Sequence, residues 1–453
     1  MNLTDELKIY EVSRIWKEAA YNFVFWDKVN INWDEEYKKT LTAVLKTDNI
    51  YDYYRELARF VCLLNDGHSG ILFPQEVRQS VEYYSMLPIQ IWKFGDDLTV
   101  LAVTEEFEDK IPIGSVIKKI DDTDVSEYIE KNIYPYIWHG HEEACGVSLI
   151  SEIMFGRKAS SLKITFEKDN SLFDLELTRE DPTALVWSKK TAMGCTDYKL
   201  KEISSSNVHK VQMTEDDIAI IRMTSFEDGS MPDKIYADFD TLKKAKGYII
   251  DVRGNSGGNS NNADKIAALF IDGEFKSCKG GVQVYEPAYK AWSMFAEEYK
   301  TLTPKEAKEK YADDPENYKT YCMGRNSYYV YHEGGTVNVE TPGKLHGPLV
   351  VLMNENTVSA AEDFVDVMKQ YTDATFVGGN TAGTSGQPLF IQLDSGGVFR
   401  VCTMRCLAQN GEDIYNKGFS PDIRVVPTYE EFTAGKDSVY EKGTEIIRNK
   451  LNG

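Results

Sequence analysis

Apolar positions near the N-terminus recur at three- and four-residue steps. Ile9, Val12, Trp16, Ala19 and Phe23 form one stripe, which predicts an amphipathic helix over residues 8–26. Tyr37, Leu41, Val44 and Leu45, then Tyr53, Leu57, Phe60, Val61 and Leu64, continue the helical texture. It stops at Asn65-Asp66-Gly67-His68-Ser69-Gly70, a polar turn flanked by glycine. From Leu87 the period changes to that of strands. Pro88–Trp92 and Leu98–Val103 read as a hairpin turning near Asp96-Asp97. The stretch Ile111–Asp122, with a glycine before a strand and an acidic turn, comes next, followed by a helix from about Val125 and strands near 161–167 and 172–179. The last section alternates apolar strands with helices. Strands are expected over Asp217–Met223, Gly247–Val252, Pro348–Met353 and Ala374–Gly378. Helices are expected across 262–270 and from Ser359 to Lys369. Buried strands each followed by a helix indicate α/β layering. Residues 280–345 are aromatic, charged and irregular, and read as an insertion.

Composition narrows the class. The chain has 453 residues, 42% of them hydrophobic, which suffices for about three domains without disulfide staples. With 51 Lys and Arg against 72 Asp and Glu, the net charge is −21. Such a surface repels phosphate backbones and polybasic-type membrane anchoring, so no nucleic-acid partner is expected. Seven cysteines, with no CxxC pair, do not make a disulfide framework. No apolar run reaches the roughly 18 residues of a membrane span. The start, Met1-Asn2-Leu3-Thr4-Asp5-Glu6, lacks the basic and apolar parts of a signal peptide. The expectation from the chain as written is a cytoplasmic protein, or an extracytoplasmic one if a signal has been removed.

Two strand-to-helix junctions carry candidate chemistry. Asp251-Val252-Arg253-Gly254-Asn255-Ser256-Gly257-Gly258 is a glycine turn where main-chain N–H groups converge on negative charge. That suits a phosphate cradle or an oxyanion hole for acyl transfer; no Lys-Ser/Thr follows as in a P-loop. Asn354–Asp363 places Ser359 where strand gives way to helix, a position that suits a nucleophile and equally an N-cap, since Ser359 and Glu362 satisfy the capping box. His139 and His141, alternating as on a strand, could share a metal, but no third ligand is evident. The turn 378–383 lacks dinucleotide-binding spacing.

In order along the chain, "DVRGNSGG", "NENTVSAAEDFVDVMK", "VGGNTAGTSGQ" and "GFSPDIRV" resemble the catalytic domain of the C-terminal processing (tail-specific) serine peptidases. The "IPIGSVIKKIDD" stretch resembles a PDZ domain, which takes extended peptides by strand addition. A purely structural β insert is the other reading of that region. The resemblance implies an α/β, crotonase/ClpP-like core at 186–440 with the 280–345 insertion. Before it come a helical section at 1–80, carrying the Asp-Gly-His turn, and a PDZ-like domain at 84–182. It implies Ser359 as nucleophile, with Gly257 or Gly258 and Ala360 offering oxyanion N–H groups, peptide or unfolded-protein substrates, and no metal or organic cofactor.

The Ser/Lys branch of the family has a lysine where this chain has Thr384, which cannot act as a base. A second branch, similar to the tricorn core protease, takes a histidine from an Asp-Gly-His turn, and "LLNDGHSG" places His68 there. Imidazole titrates near neutrality and suits that role. The orienting acid of that branch falls on Tyr415; Glu412, Asp413 and Asp66 are the carboxylates at hand. The rival to a peptidase is a non-catalytic ligand- or peptide-binding protein on the same fold.

Overall fold

The computed structural model describes residues 3–141, 144–192, 194 and 196–452. The chain divides into two compact units, each interleaved in sequence. Unit 1 gathers Met1–Leu72, Cys278–Gly334 and Gly386–Asp413; unit 2 gathers Phe73–Ser277, Gly335–Ser385 and Ile414–Gly453.

Unit 2 contains the mixed helix-and-sheet core. Its seven strands run in the spatial order Lys201–Ser205, His209–Met213, Ile218–Met223, Gly247–Asp251, Leu349–Met353, Thr375–Gly378, Ile423–Arg424. The first two pairings are antiparallel and the rest parallel, with Ile220 beside Ile249 and Ile250 beside Val351. Side chains alternate between faces. Ile221, Ile250, Val351 and Met353 face the cluster that includes Ala263, Ile266, Phe364 and Val365, from helices Ser260–Ala267 and Ala360–Tyr371. Ile220, Ile249, Val350, Leu352 and Val377 face Val439, Tyr440 and Ile447 of helix Ser438–Asn452. A sheet covered on both faces needs apolar strands throughout, which explains the continuous runs in the sequence.

The second part of unit 2 is a smaller β module. Trp187–Thr191, Asp97–Thr104, Val116–Ile120, Ser161–Lys168 and Ser171–Thr178 form its main path, and Ile89–Phe94 pairs with Asp97–Thr104. The hairpin turn is Gly95-Asp96, with Gly95 at φ +59°, one residue ahead of the expected Asp96-Asp97. Asp169 and Asn170, at φ +49° and +62°, close the longest hairpin in the geometry that matches strand twist. Helices Val125–Asn132 and Gly146–Met154 accompany this sheet.

Unit 1 holds helices Asp5–Asn22, Trp33–Val44 and Ile50–Cys62 and two three-stranded sheets. The first helix ends four residues before the expected boundary. Phe23, Val24 and Phe25 are all buried, so consecutive residues point inward, and the Val24 N–H donates to the Cys402 carbonyl at 3.1 Å. Glu11 is fully buried. It accepts from Tyr53 Oη (2.8 Å), Ser395 N (2.6 Å) and Ser395 Oγ (2.7 Å), which compensates the burial of its charge. The irregular stretch contains three short helices, Pro287–Ser293, Pro304–Lys310 and Pro315–Gly324. Tyr299, Tyr311 and Tyr321 pack edge to face in its core, whereas Trp292 and Phe295 are exposed. Among the described residues, six cysteines are free and no helix is long and apolar enough to cross a membrane.

Candidate active site

The Ser359 turn begins where strand Leu349–Met353 ends. Thr357 Oγ1 donates to the Val252 carbonyl at 2.9 Å and accepts from Asn354 N at 3.1 Å. The Val358 N–H reaches the Asn255 carbonyl at 2.9 Å. This stitching ties the Ser359 turn to the glycine turn. Ser359 itself has φ +57° and ψ −124°, a conformation that costs a non-glycine residue about 1–3 kcal/mol. Its N–H donates to the Thr384 carbonyl at 3.1 Å. Helix Ala360–Tyr371 starts immediately after it.

Gly257 shows why that turn is glycine-rich. Its φ is +84°, and a Cβ there would lie 2.7 Å from both Ser359 Cβ and the Val358 carbonyl oxygen. The Gly257 N–H donates to Asn255 Oδ1 at 3.0 Å. Among the described residues, the N–H groups of Gly258 and Ala360 make no protein hydrogen bond. Gly258, at φ +134°, lies against the Phe226 backbone, where a Cβ would clash.

Glu362 was legible in the sequence only as a capping-box partner. It is fully buried beside the Ser359 turn. Its Oε1 accepts from Thr381 Oγ1 at 2.7 Å and Gly383 N at 2.8 Å; its Oε2 accepts from Thr384 N at 2.9 Å and, more weakly, from Ser359 N at 3.4 Å. Burial raises its carboxyl to about 7, against the pull of the hydrogen bonds from Thr381, Gly383 and Thr384. The signal that could have found it is the pairing of a helix carboxylate with a Thr-x-Gly loop: one oxygen takes the threonine hydroxyl, and loop N–H groups supply the other donors. Thr384 contributes backbone to this arrangement. Next to it, Asp363 accepts from Ser260 Oγ (2.7 Å) and Ser385 Oγ (2.9 Å).

His139 and His141 do not lie on a strand. The segment follows the 3₁₀ turn Tyr134–Tyr136 and is irregular. The His139 ring stacks on Tyr134 at 4.7 Å, while His141 Nε2 is 2.9 Å from the Thr381 carbonyl. A tight turn of aromatic residues has broken the alternation, and the two rings serve different partners.

His68 belongs to unit 1. Helix Ile50–Cys62 runs out at Leu63, and Asn65 turns the chain at φ +45°. Asp66 Oδ2 accepts from Ser69 Oγ at 2.7 Å, and Ser69 Oγ in turn accepts from Cys402 N at 3.0 Å. Arg400 Nη2 donates to the Gly67 carbonyl at 2.9 Å. His68 is only 7% exposed, and burial, helped by the Arg400 charge, pushes its imidazole down to about 4. It is therefore neutral at physiological pH. Burial pushes Asp66 up to about 6, and hydrogen bonds from Ser69 and the His68 N–H oppose that rise. Glu412 is exposed, and Asp413 pairs with Lys28 at 2.6 Å.

Residues 217–425 match the model of peptidase family S41. The curated relatives that the chain matches are C-terminal processing and CtpA-like serine proteases, the group that the four ordered motifs resemble. The chain is 25% identical over 239 residues to the carboxy-terminal processing protease CtpA of Bacillus subtilis (strain 168), covering 51% of this chain and 40% of that protein. It is 21% identical over 308 residues to a probable CtpA-like serine protease of Staphylococcus haemolyticus (strain JCSC1435), covering 66% and 48%. The matches thus span less than half the length of these relatives. The crystal structure of mature CPAF shares the fold, with a TM-score of 0.70, 14% identity and coverage of 99% and 98%.

Proposed function

We propose that this chain is a serine peptidase that hydrolyses peptide bonds with Ser359 as nucleophile and His68 as general base. The observation that carries the reading is the backbone of Ser359. A serine at φ +57°, at the start of a helix, with a glycine packed against its Cβ, sits on a strained turn that suits a nucleophile. In this reading, neutral His68 takes the Ser359 proton as Oγ attacks the carbonyl carbon. The developing oxyanion is held by the N–H groups of Ala360 and Gly258, since the Gly257 N–H is engaged by Asn255. His68 then protonates the leaving amine, and water releases the acyl group by the reverse path. Asp66 positions His68 through the turn backbone; Glu412 and Asp413 are weaker choices for the orienting acid. Thr384 cannot replace the base lysine of the other branch, which supports a histidine.

The finer architecture belongs to the same proposal. The α/β core is crotonase/ClpP-like, the 84–182 module is PDZ-like, and the division 1–80, 84–182 and 186–440 describes the functional parts. The substrates are peptides or unfolded proteins.

Labelling with a fluorophosphonate probe tests the reading. Wild-type protein is expected to label and Ser359→Ala to fail. Absence of labelling in wild type, under conditions that label a control serine protease, rejects the nucleophile. Undiminished peptidase activity in His68→Ala rejects the base.

A further inference from the structure

Unit 1 contains a cavity of about 730 Å³ that the peptidase chemistry does not use. The first helix brings Trp16 and Tyr21 to it, the following turn brings Trp26, and the start of helix Trp33–Val44 brings Trp33. Tyr285 faces them after strand Lys279–Gln283. The volume falls in the range of about 300–1,000 Å³ usual for small-molecule sites.

The rings are held in place before any ligand arrives. Trp33 stacks on Phe60 at 4.0 Å, nearly parallel, and Trp16 stacks on Tyr37 at 5.0 Å. All three indole N–H groups are engaged, donating to Asp34 Oδ1, the Ala19 carbonyl and the Trp16 carbonyl. The indoles therefore present apolar surface and no donors. Polar capacity comes from the residues between them. Asn32 Oδ1 caps a helix and Asn326 Oδ1 accepts from Lys290, which leaves both Nδ2 groups without a protein partner among the described residues. Asp34 keeps its second oxygen. Gln283 Oε1 is buried with no partner, which costs about 1–3 kcal/mol.

This combination selects among ligand classes. A cation meets Lys17 and Lys290, and Lys290 already lies 5.7 Å from the Tyr285 ring centre. An anion meets Asp34, and of the two lysines Lys17 is already paired with Glu18 at 2.9 Å, so the remaining charges balance. A hydrocarbon leaves two amides and a carboxylate without partners. A neutral sugar has apolar C–H faces for the rings and hydroxyls that both donate and accept, matching amide donors beside a carboxylate acceptor. We propose that this cavity binds a neutral saccharide.

The test uses the full-length protein and four tetrasaccharides, built from glucose, N-acetylglucosamine, galactose and mannose. Saturation-transfer NMR is expected to show transfer to the ring C–H protons of at least one of them. Tyr285→Ala and Asn326→Asp, both outside the peptidase machinery, are expected to weaken that binding by about tenfold, one hydrogen bond or ring contact each. Aspartate tolerates the φ of +51° at position 326 while removing the amide donor. Both variants should keep wild-type peptidase activity and urea midpoints close to wild type. No transfer from any of the four sugars overturns the proposal, as does transfer that both variants leave unchanged. Capture of a proline-rich decapeptide without any saccharide binding overturns it in favour of peptide docking.

Discussion

Glu362→Gln separates what the buried carboxylate does for stability from what it does for the Ser359 turn. The substitution keeps the shape and one oxygen. That oxygen retains Thr381 Oγ1 and Gly383 N, while the new amide turns N–H groups toward Thr384 N and Ser359 N. Leaving one buried N–H without an acceptor costs about 1–3 kcal/mol. The wild-type carboxyl carries a second, opposing effect. Its folded value is raised from 4.5 to about 7. Between those values the native state holds a proton that the unfolded chain has released. Wild-type stability therefore falls as pH rises through this window, by roughly 3 kcal/mol in all. Glutamine does not titrate. The variant should be less stable than wild type at pH 5 by about 1–3 kcal/mol, and the two should meet or cross by pH 8. Urea unfolding at pH 5, 6, 7 and 8 reads this directly. Activity should not follow stability. Loosening the loop that holds the Ser359 N–H should lower kcat/KM by about 10- to 100-fold at both ends, equivalent to about 1.4–2.8 kcal/mol. A stability difference that stays constant from pH 5 to pH 8 would falsify the titrating buried acid. Unchanged kcat/KM would remove the positioning role.

Gly257→Ala places a Cβ 2.7 Å from Ser359 Cβ in a left-handed backbone, so a loss of about 2–5 kcal/mol and of fluorophosphonate labelling is expected; wild-type labelling contradicts the packing argument. With His68 held down to about 4, the acid limb of kcat/KM against pH should fall well below the ordinary histidine value of 6.5; a limb at 6.5 or above shows that another group is the base. The same burial makes the His68 contribution to stability present above pH 6.5 and lost as pH drops toward 4, so His68→Gln should flatten that part of the urea-midpoint profile. Arg253 bridges Asp251 and Asp437 with bonds of 2.7–2.9 Å, and Arg253→Met should cost about 3–5 kcal/mol by stranding the buried Asp251; a thermal midpoint equal to wild type removes the ion bridge from the account of this turn.

The sequence by itself determined the four central strands of the α/β core and the two helices Ser260–Ala267 and Ala360–Tyr371, and left its edge strands Lys201–Ser205, His209–Met213 and Ile423–Arg424 and helix Ser438–Asn452 unread. Runs such as Gly247–Asp251 and Leu349–Met353 are buried on both faces, and that requirement is written locally as unbroken apolar residues. The Asp-x-Arg-Gly turn, the Ser-Ala-x-Glu helix start and the absence of a lysine at Thr384 were equally legible, because each is a short motif whose chemistry sits in adjacent residues. The end of the first helix and the irregular geometry of His139–His141 were not, because both depend on which partners bury a run of aromatic residues. Tertiary structure alone decided three further matters. It interleaved the chain, so that Met1–Leu72, Cys278–Gly334 and Gly386–Asp413 make one unit. It made Glu362 more than a helix cap, since its strongest donors lie at Thr381–Thr384, some twenty residues away in sequence. It pushed His68 and Asp66 in opposite directions by withdrawing both from water. Burial is a property of everything that packs around a side chain, and contacts between distant segments leave no local periodicity for a sequence to display.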